Sequence, residues 1–240
     1  NRKKWTWSGW VKRSSTGVKH HLFAVHGSND NSGYFRLAFQ TDGTLFVGLW
    51  SKSILTTVGT FRDFSAWYHV VLVLDTSNST AADQVILYVN GVRQSVTGTA
   101  DSNADYAINS THNHYIGWNV ATSQYFDGYL ADVHFIDGQA LAATDFAEFD
   151  SDNNWNPKQF SGTYGTNGFY LKFADNSSNA ALGTDSSGNN NTWTVNNLSV
   201  ASGAGNDSLI DTPTNYDDGT NVGGNYCTLN PIDKNSNVTL

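Results

Sequence analysis

The sequence of 240 residues has little of several residue types, and each shortage excludes a class of protein. One cysteine rules out a framework of intrachain disulfides, so stability must come from a packed core or from oligomerisation. Three prolines, no methionine and a single glutamate, Glu148, leave little material for long amphipathic helices. No apolar run approaches the roughly 20 residues that a membrane-spanning helix needs, so we expect no membrane insertion.

Positive charge is also scarce, and it is unevenly distributed. Residues 1–100 carry ten Lys and Arg against five Asp and Glu, whereas residues 101–240 carry three against sixteen, for a net charge of −8. Binding of phosphates requires clustered basic residues, so this balance disfavours a nucleic-acid partner. We expect the basic start, from Arg2 to Arg13, to be a solvated edge strand, since lysines at a sheet edge discourage unwanted pairing.

Aromatic residues are plentiful, at 13% of the chain against 14% charged residues, which favours pleated structure with half-buried faces. Short apolar or alternating runs recur between turn residues, and Asp42-Gly43 and Asn90-Gly91 predict hairpin turns. The spacing is typical of an antiparallel sandwich and not of a parallel α/β sheet. The predicted strands cover residues 5–13, 21–25, 34–39, 45–50, 68–74, 85–89, 92–96, 115–118 and 129–136.

The rest of the chain contains fewer such patterns. Residues 140–149 are the one helix candidate, because Leu141, Phe146 and Phe149 have roughly helical spacing. Eighteen of the 27 asparagines lie in residues 151–240, mixed with Gly, Ser and Asp, and such a segment cannot bury a second large core.

The composition divides the chain into three parts. We expect a β-sandwich at 1–150, then a region at 151–198 whose apolar pieces, 169–173 and 192–195, form a hairpin that completes or extends the sandwich. Residues 199–240 are expected to be an extended Asn/Gly/Asp-rich linker that leads to a further module.

Several segments resemble, in the same order, the laminin-G/pentraxin type of concanavalin A-like lectin domain. The resemblance implies an all-β jelly roll, a concanavalin A-like antiparallel β-sandwich with one short helix and a loop-rich C-terminal extension. Residues 170–175 and 185–189 resemble the strand and loop that precede the Trp-rich strand in that family, which implies a circular permutation or the start of a second copy. The matching segments are Trp7-Ser8-Gly9-Trp10-Val11-Lys12, Trp67-Tyr68-His69-Val70, Leu87-Tyr88-Val89-Asn90-Gly91, Ile116-Gly117 and Phe126-Asp127-Gly128-Tyr129-Leu130-Ala131-Asp132-Val133.

The whole sequence also resembles structural proteins of marine bacteriophages, particularly tail-fibre and virion-surface proteins. This resemblance implies a location on the virion surface, a host-surface glycan or other virion proteins as partners, and a homo-oligomer, because fibres are usually symmetric. It is carried by the segments 7–13, 126–138, 211–216 and 224–231.

No catalytic pair is evident in the sequence. A retaining glycosidase needs two carboxyl groups about 5 Å apart, and the nearest pair, Asp127 and Asp132, is expected to point to opposite faces. His69 and His134, with Tyr68 and Tyr129 close by, would suit a lyase, but a histidine on a central strand is more often a hydrogen-bonded core residue. We therefore expect that the protein is not an enzyme.

Two kinds of binding site remain. Exposed aromatics with polar neighbours suit a carbohydrate, and those expected at loops or strand ends are Trp118, Asn119, Tyr125, Trp155 and Trp50. The lectin resemblance implies one Ca²⁺ near the sandwich edge, for which Asp127, Asp185 and Asn189 are the candidate ligands, although ordinary Asx turns are the preferred explanation of these residues.

Three hypotheses follow. The first is a phage fibre or adhesin module that binds host-surface carbohydrate. The second is a purely structural capsid or tail decoration protein. The third is a polysaccharide-degrading enzyme that depends on His134 or Tyr129.

Overall fold

Two six-stranded sheets form the fold, and every strand pairing in them is antiparallel. The computed structural model describes residues 1–203, 205–208 and 213. Within these residues, helical structure is limited to 3-10 turns at Ala81–Asp83, Ala143–Asp145 and Ala180–Gly183. The strands are β1 Lys4–Arg13, β2 His20–His26, β3 Tyr34–Phe39, β4 Leu45–Gly48, β5 Ser53–Thr57, β6 Tyr68–Asp75, β7 Val85–Val89, β8 Val92–Arg93, β9 Val96–Thr97, β10 Asn113–Ile116, β11 Trp118–Asn119, β12 Gln124–Tyr125, β13 Gly128–Asp137, β14 Ala147–Phe149, β15 Trp155–Pro157 and β16 Phe169–Leu171.

The sheets, which we call A and B, face each other across one apolar core. Sheet A has the order β16-β13-β1-β6-β7-β8, and sheet B has the order β10-β2-β3-β4-β5-β9. The predicted strand at 92–96 divides between them, because Val92–Arg93 stays in sheet A while Val96–Thr97 pairs with β5 of sheet B. The all-β sandwich expected from the sequence is confirmed.

The alternation predicted for β1 decides which layer each side chain enters. Trp5 and Trp7 point into the core between the sheets and are fully buried, while Ser8 and Trp10 lie on the outer face of sheet A. The strand β6 beside it is buried along its whole length, as the apolar run in its sequence indicates. Both faces of sheet A are therefore covered.

Residues 139–164, which we call the covering segment, form the layer outside sheet A. Phe146 and Ala143 pack there against Val71, Val73 and Ile136 of the sheet. The start of the segment is fixed because the Thr6 hydroxyl donates to the carbonyl of Gln139 and accepts the amide of Leu141. The covering segment thus adds a third layer to the sandwich on the outer side of sheet A.

The basic start of the chain is not a solvated edge strand, so that expectation is wrong. β1 lies between β13 and β6 in the middle of sheet A. Arg13, at its end, is buried, donates to the carbonyl of Phe61, and lies 4.2 Å above the centre of the Phe39 ring. Its long side chain covers apolar surface, which composition alone did not indicate.

The helix expected at 140–149 is reduced to the single 3-10 turn Ala143–Asp145, after which the chain enters β14. Phe146 and the adjacent Ala147 are both buried, but against different parts of sheet A, and residues 147–149 pair with β15. Consecutive buried residues cannot share one face of a helix, so packing overrides the helical spacing.

The predicted hairpin of 169–173 and 192–195 forms only in part. Residues 169–171 extend sheet A by pairing with β13, but residues 192–195 are not a strand. Instead, Trp193 closes the edge of the core with its ring, which lies 4.9 Å from that of Phe169, and its amide donates to Gly183. Of the expected linker at 199–240 only residues 199–203, 205–208 and 213 are described, and Ser199 there hydrogen-bonds Asp207 in both directions.

Candidate functional site

The outer face of sheet B carries a group of aromatic side chains, of which Trp50 and Tyr125 are exposed while Tyr34 and Phe46 are buried. Phe35 and Leu37 of β3 point into the core, so the alternating residues Tyr34 and Arg36 point outward. The sheet register places Arg36 beside Ala24 of β2. We call this outer surface the aromatic face, and it comprises Tyr34, Arg36, Phe46, Trp50, Tyr115, Trp118 and Tyr125.

The two-stranded ribbon β11–β12 supplies the most exposed ring of this face. Trp118 and Tyr125 lie opposite each other in the ribbon, and their rings stack with centres 5.7 Å apart and planes 4° from parallel. Tyr115 meets the edge of Trp118 at 5.1 Å. Tyr125 remains 57% exposed, so it is the outer ring and Trp118 supports it from below.

Buried polar contacts fix the ribbon on β2. Asn119 donates to the hydroxyl of Tyr34 at 2.6 Å, and its Oδ1 accepts the amide of Ala121. His21 Nε2 lies 3.1 Å from Oε1 of Gln124. Burial lowers the pKa of His21 to about 4, with a smaller contribution from the positive charge of Arg36. His21 is therefore neutral near pH 7, and it anchors the ribbon without adding charge to the face.

Trp50 and Arg36 occupy the other half of the face. Trp50 is 40% exposed and meets the ring of Tyr34 edge-on at 5.4 Å. The guanidinium of Arg36 lies 5.6 Å from the centre of the Tyr34 ring and 5.0 Å from that of Phe46. Tyr34 connects the two halves, because its hydroxyl contacts Asn119 beneath the ribbon.

The structure brings together three of the aromatic residues proposed from the sequence and separates two residues from them. Trp118, Tyr125 and Trp50 share the aromatic face, whereas Asn119 is 1% exposed and uses its amide inside the protein. The structure places Trp155 away from this face, on the outer face of sheet A. There it donates its indole N–H to His69 at 3.1 Å and packs beside Phe149. The neutral ring of His69, on the central strand β6, accepts this hydrogen bond, which explains why the Trp155 side chain faces the protein.

The residues proposed for Ca²⁺ do not form a common site. Asp185 is buried, and both its carboxylate oxygens accept hydrogen bonds from the polypeptide, from the amides of Tyr170, Ser187 and Asn191 and the hydroxyl of Ser187. Asn189 donates its side-chain N–H groups to the backbone carbonyls of Gly165 and Gly168.

Asp127 is the exposed member of the set. Its carboxylate accepts one hydrogen bond, from Ser15 at 3.3 Å. Among the described residues, no three His, Cys, Asp or Glu side chains are arranged to hold a metal ion. Ca²⁺ takes six to eight oxygen ligands, backbone and asparagine carbonyls among them, so calcium binding at these residues stays a prediction.

The histidines considered as catalytic groups lie beneath the covering segment. His69 contacts the Ser8 hydroxyl at 2.8 Å and accepts from Trp155, and burial lowers its pKa to about 3. His134 contacts the Tyr164 hydroxyl at 3.0 Å and stacks on Tyr170, and burial lowers its pKa to about 3. Both are hydrogen-bonded core residues, and a substrate cannot reach either one in this conformation.

The remaining acidic candidates are also separate from one another. Asp132 is buried and accepts a 2.6 Å hydrogen bond from the Tyr170 hydroxyl, while Asp127 is exposed in the preceding loop. Glu148 lies on β14 and pairs with Lys158 at 3.7 Å. No pair of these carboxyl groups shares a hydrogen-bond partner among the described residues.

The fold and a sequence match along most of the sandwich together identify the family. Residues 1–147 match the profile of the concanavalin A-like lectin/glucanases superfamily. The chain belongs to this superfamily. Its matched part contains both sheets except β16, and it includes the whole aromatic face. No curated protein matches the chain.

A solved structure of another protein has a similar fold. A Bacteroides ovatus ATCC 8483 protein, whose name proposes carbohydrate binding, matches with a TM-score of 0.58 at 17% identity, over 81% of this chain and 52% of that one. The chain thus spans about half the length of that protein. Lower TM-scores of 0.40 relate it to a Limulus polyphemus SAP-like pentraxin (18% identity, 59% and 66% covered) and to the CBM40 of Ruminococcus gnavus IT-sialidase with α2,6-sialyllactose (17%, 52% and 72%).

These identities are low enough that the similarity concerns the fold alone. The part of the chain that the structure describes has no helix of the length and apolarity needed to cross a bilayer.

Proposed function

We propose that the protein is a non-enzymatic binding module that takes up a carbohydrate on its aromatic face. One observation carries the proposal: Tyr125 is more than half exposed yet held by stacking on Trp118, on the same face as the exposed Trp50. Rings that are fixed before binding lose little conformational freedom when a ligand packs on them. Tyrosine and tryptophan combine an apolar face with a polar tip, which suits the alternating CH and OH groups of a sugar.

The buried state of the histidines and the separation of the acidic groups support binding without catalysis. A retaining glycosidase needs two carboxyl groups about 5 Å apart beside the substrate. On the aromatic face, the described residues include no Asp or Glu. The face can therefore hold a saccharide, and its own residues provide no pair of carboxyl groups for hydrolysis.

The proposed setting is the surface of a phage virion, with a host-surface glycan as the ligand. Support comes from the resemblance of residues 7–13 and 126–138 to structural proteins of marine phages. The other segments that carry it, 211–216 and 224–231, lie outside the described residues apart from Pro213. A symmetric homo-oligomer would suit this role, because several weak sugar sites on one particle give high avidity.

A binding comparison between two tyrosines tests the proposal. Tyr125 is on the aromatic face, whereas Tyr129 is 44% exposed on sheet A beside Trp67, so the variant Tyr129→Ala removes a similar ring elsewhere. The purified chain and the variants Tyr125→Ala and Tyr129→Ala are titrated against an immobilised array of neutral and acidic host-envelope glycans. We expect Tyr125→Ala to weaken binding about tenfold or more and Tyr129→Ala to leave it unchanged.

Two outcomes would contradict the proposal. The first is the absence of glycan binding at any valency. The second is an equal effect of the two substitutions. If Tyr125→Ala instead changes only the oligomeric state, the face is an assembly surface, which is the behaviour expected of a structural capsid or tail component.

A further inference from the structure

Arg36 is a cation on the aromatic face whose side chain forms no ion pair within the described part of the chain. Its Nε is buried without a hydrogen-bond acceptor. The ion pairs of the described residues, which involve the N-terminus and Lys4, Lys52, Arg93 and Lys158, do not include it. A buried polar atom without a partner costs about 1–3 kcal/mol. Nε of Arg36 is one of seven such side-chain atoms among the described residues, and it is the one that belongs to a charged group on the aromatic face.

The neighbours of Arg36 fix its position but leave its charge uncompensated. The rings of Tyr34 and Phe46 lie on either side of the guanidinium, and the side chain is partly exposed. The register places Arg36 next to Ala24 on one strand and Gly48 on the other. The Phe46 ring occupies the space above Gly48, where a Cβ would overlap it. Small residues on both sides therefore allow the ring and the guanidinium to lie against the sheet.

Among the described residues no Asp or Glu forms an ion pair with Arg36. His21, whose pKa responds to the charge of Arg36, is neutral, since burial and that charge lower its pKa to about 4. The chain as a whole has a net charge of −8. A protein with this net charge repels polyanions in general, so an exposed unpaired arginine beside the sugar-binding rings is a specific feature and not part of a basic surface.

We propose that Arg36 selects a negatively charged saccharide, one whose sugar ring packs on the aromatic face and whose carboxylate or sulfate is bound by the guanidinium. This inference rests on the proposed function, because it assigns the ligand class of the same face. The planar guanidinium presents parallel N–H donors that match two oxygens of such a group. Because the rings of Tyr34 and Phe46 hold it in place, little side-chain freedom is lost when the anion binds.

The test uses polysaccharide fragments that share a backbone and differ in charge. Polygalacturonate and its fully methyl-esterified form differ in the carboxylate, and dextran sulfate and dextran differ in the sulfate. Their oligosaccharides are titrated into the whole chain by calorimetry. We expect at least one acidic form to bind about tenfold more tightly than its neutral counterpart, with a preference that weakens as salt is added. The carboxylate and sulfate arms show which anion is recognised.

Substitutions at Arg36 then separate charge from packing. Arg36→Met keeps an apolar chain between the two rings, Arg36→Gln keeps a polar end, and Arg36→Lys keeps the charge without the paired donors. We expect the first two to abolish the preference for the acidic form while binding of the neutral form persists, and Arg36→Lys to give an intermediate preference. Arg62→Gln, at an exposed arginine that donates to the Asp42 carbonyl, is the matched control. Melting temperatures confirm that each variant is folded.

The outcomes distinguish this inference from the function on which it rests. If acidic and neutral forms bind equally to the unsubstituted chain, or if Arg36→Met weakens both by the same factor, the role of Arg36 is refuted while saccharide binding stands. If neither form binds, the proposed function fails and the inference fails with it. Tyr125→Ala should weaken both forms, since the ring packs on the sugar and not on its charge.

Discussion

Mild acid should destabilise the protein well before its carboxylates titrate, because two histidines are buried in the neutral state on the outer side of sheet A. Burial lowers the pKa of His69 and of His134 from 6.5 to about 3. In the unfolded chain both regain a pKa near 6.5, so protons bind preferentially to the unfolded state. Stability is therefore fully present above pH 6.5 and is lost as the pH falls from 6.5 towards 3.

The size of the effect follows from linkage. Between pH 7 and pH 5 each of these histidines removes about 2 kcal/mol from the free energy of unfolding, at 1.36 kcal/mol per pKa unit. This figure depends little on the folded pKa once that value is about 4 or less, so His21, whose pKa burial lowers to about 4, contributes a similar amount. Carboxylates such as Asp30, whose hydrogen bonds lower its pKa from 3.8 to about 2, affect stability only at lower pH.

Urea unfolding followed by tryptophan fluorescence at pH 7 and pH 5 measures this difference. The variant His69→Gln keeps a polar side chain beside Ser8 and Trp155 but cannot be protonated. We expect its loss of stability between the two pH values to be about 2 kcal/mol smaller than that of the unsubstituted chain, whatever its stability at pH 7. An unchanged pH dependence in the variant would refute the buried neutral state of His69.

Three further predictions concern local contacts. Gly128→Ala should cost about 2 kcal/mol or more, because φ is +150° there and a Cβ would overlap the backbone of Lys12 and Arg13; Gly138→Ala, in open space at φ +85°, should cost less. Thermal or urea unfolding compares the two. Trp155→Phe should cost about 1–3 kcal/mol in the same assay by leaving Nδ1 of His69 without its donor. Millimolar calcium or EDTA should leave the melting temperature unchanged, and a rise with calcium would show a site that these residues do not reveal.

Most of sheets A and B could be predicted because their strands carry strong local patterns. The continuous apolar run of β6 and the Asn90-Gly91 turn after β7 are examples, and both occur at the expected places. The short strand Ser53–Thr57 was missed, since its two apolar residues, Ile54 and Leu55, are adjacent and followed by threonines. Such a segment forms a strand only because β4 lies beside it, which is information that its own sequence does not contain.

The candidate site was less predictable, because it depends on which layer a residue enters. Trp118 and Trp155 are each next to an asparagine near a strand end, so their local sequences do not show which one lies at the exposed face. One supports the exposed Tyr125, while the other donates to a buried histidine. Arg36 was not identified from the sequence at all, although it is the one charged residue within the alternating run 34–39. A charge in the middle of a strand with aromatic neighbours was the available signal.

The two outer faces of the sandwich differ in what covers them, and this difference supports the proposed function. On sheet A, the covering segment places Phe146 and Trp155 over His69 and His134, so the polar groups of that face are satisfied inside the protein. On sheet B, no comparable segment among the described residues covers Trp50 and Tyr125, which stay exposed. Their rings and the charge of Arg36 face outward. A ligand on sheet A would have to displace packed chain, whereas a ligand on the aromatic face displaces water. The fold therefore permits binding on sheet B at a much lower free-energy cost.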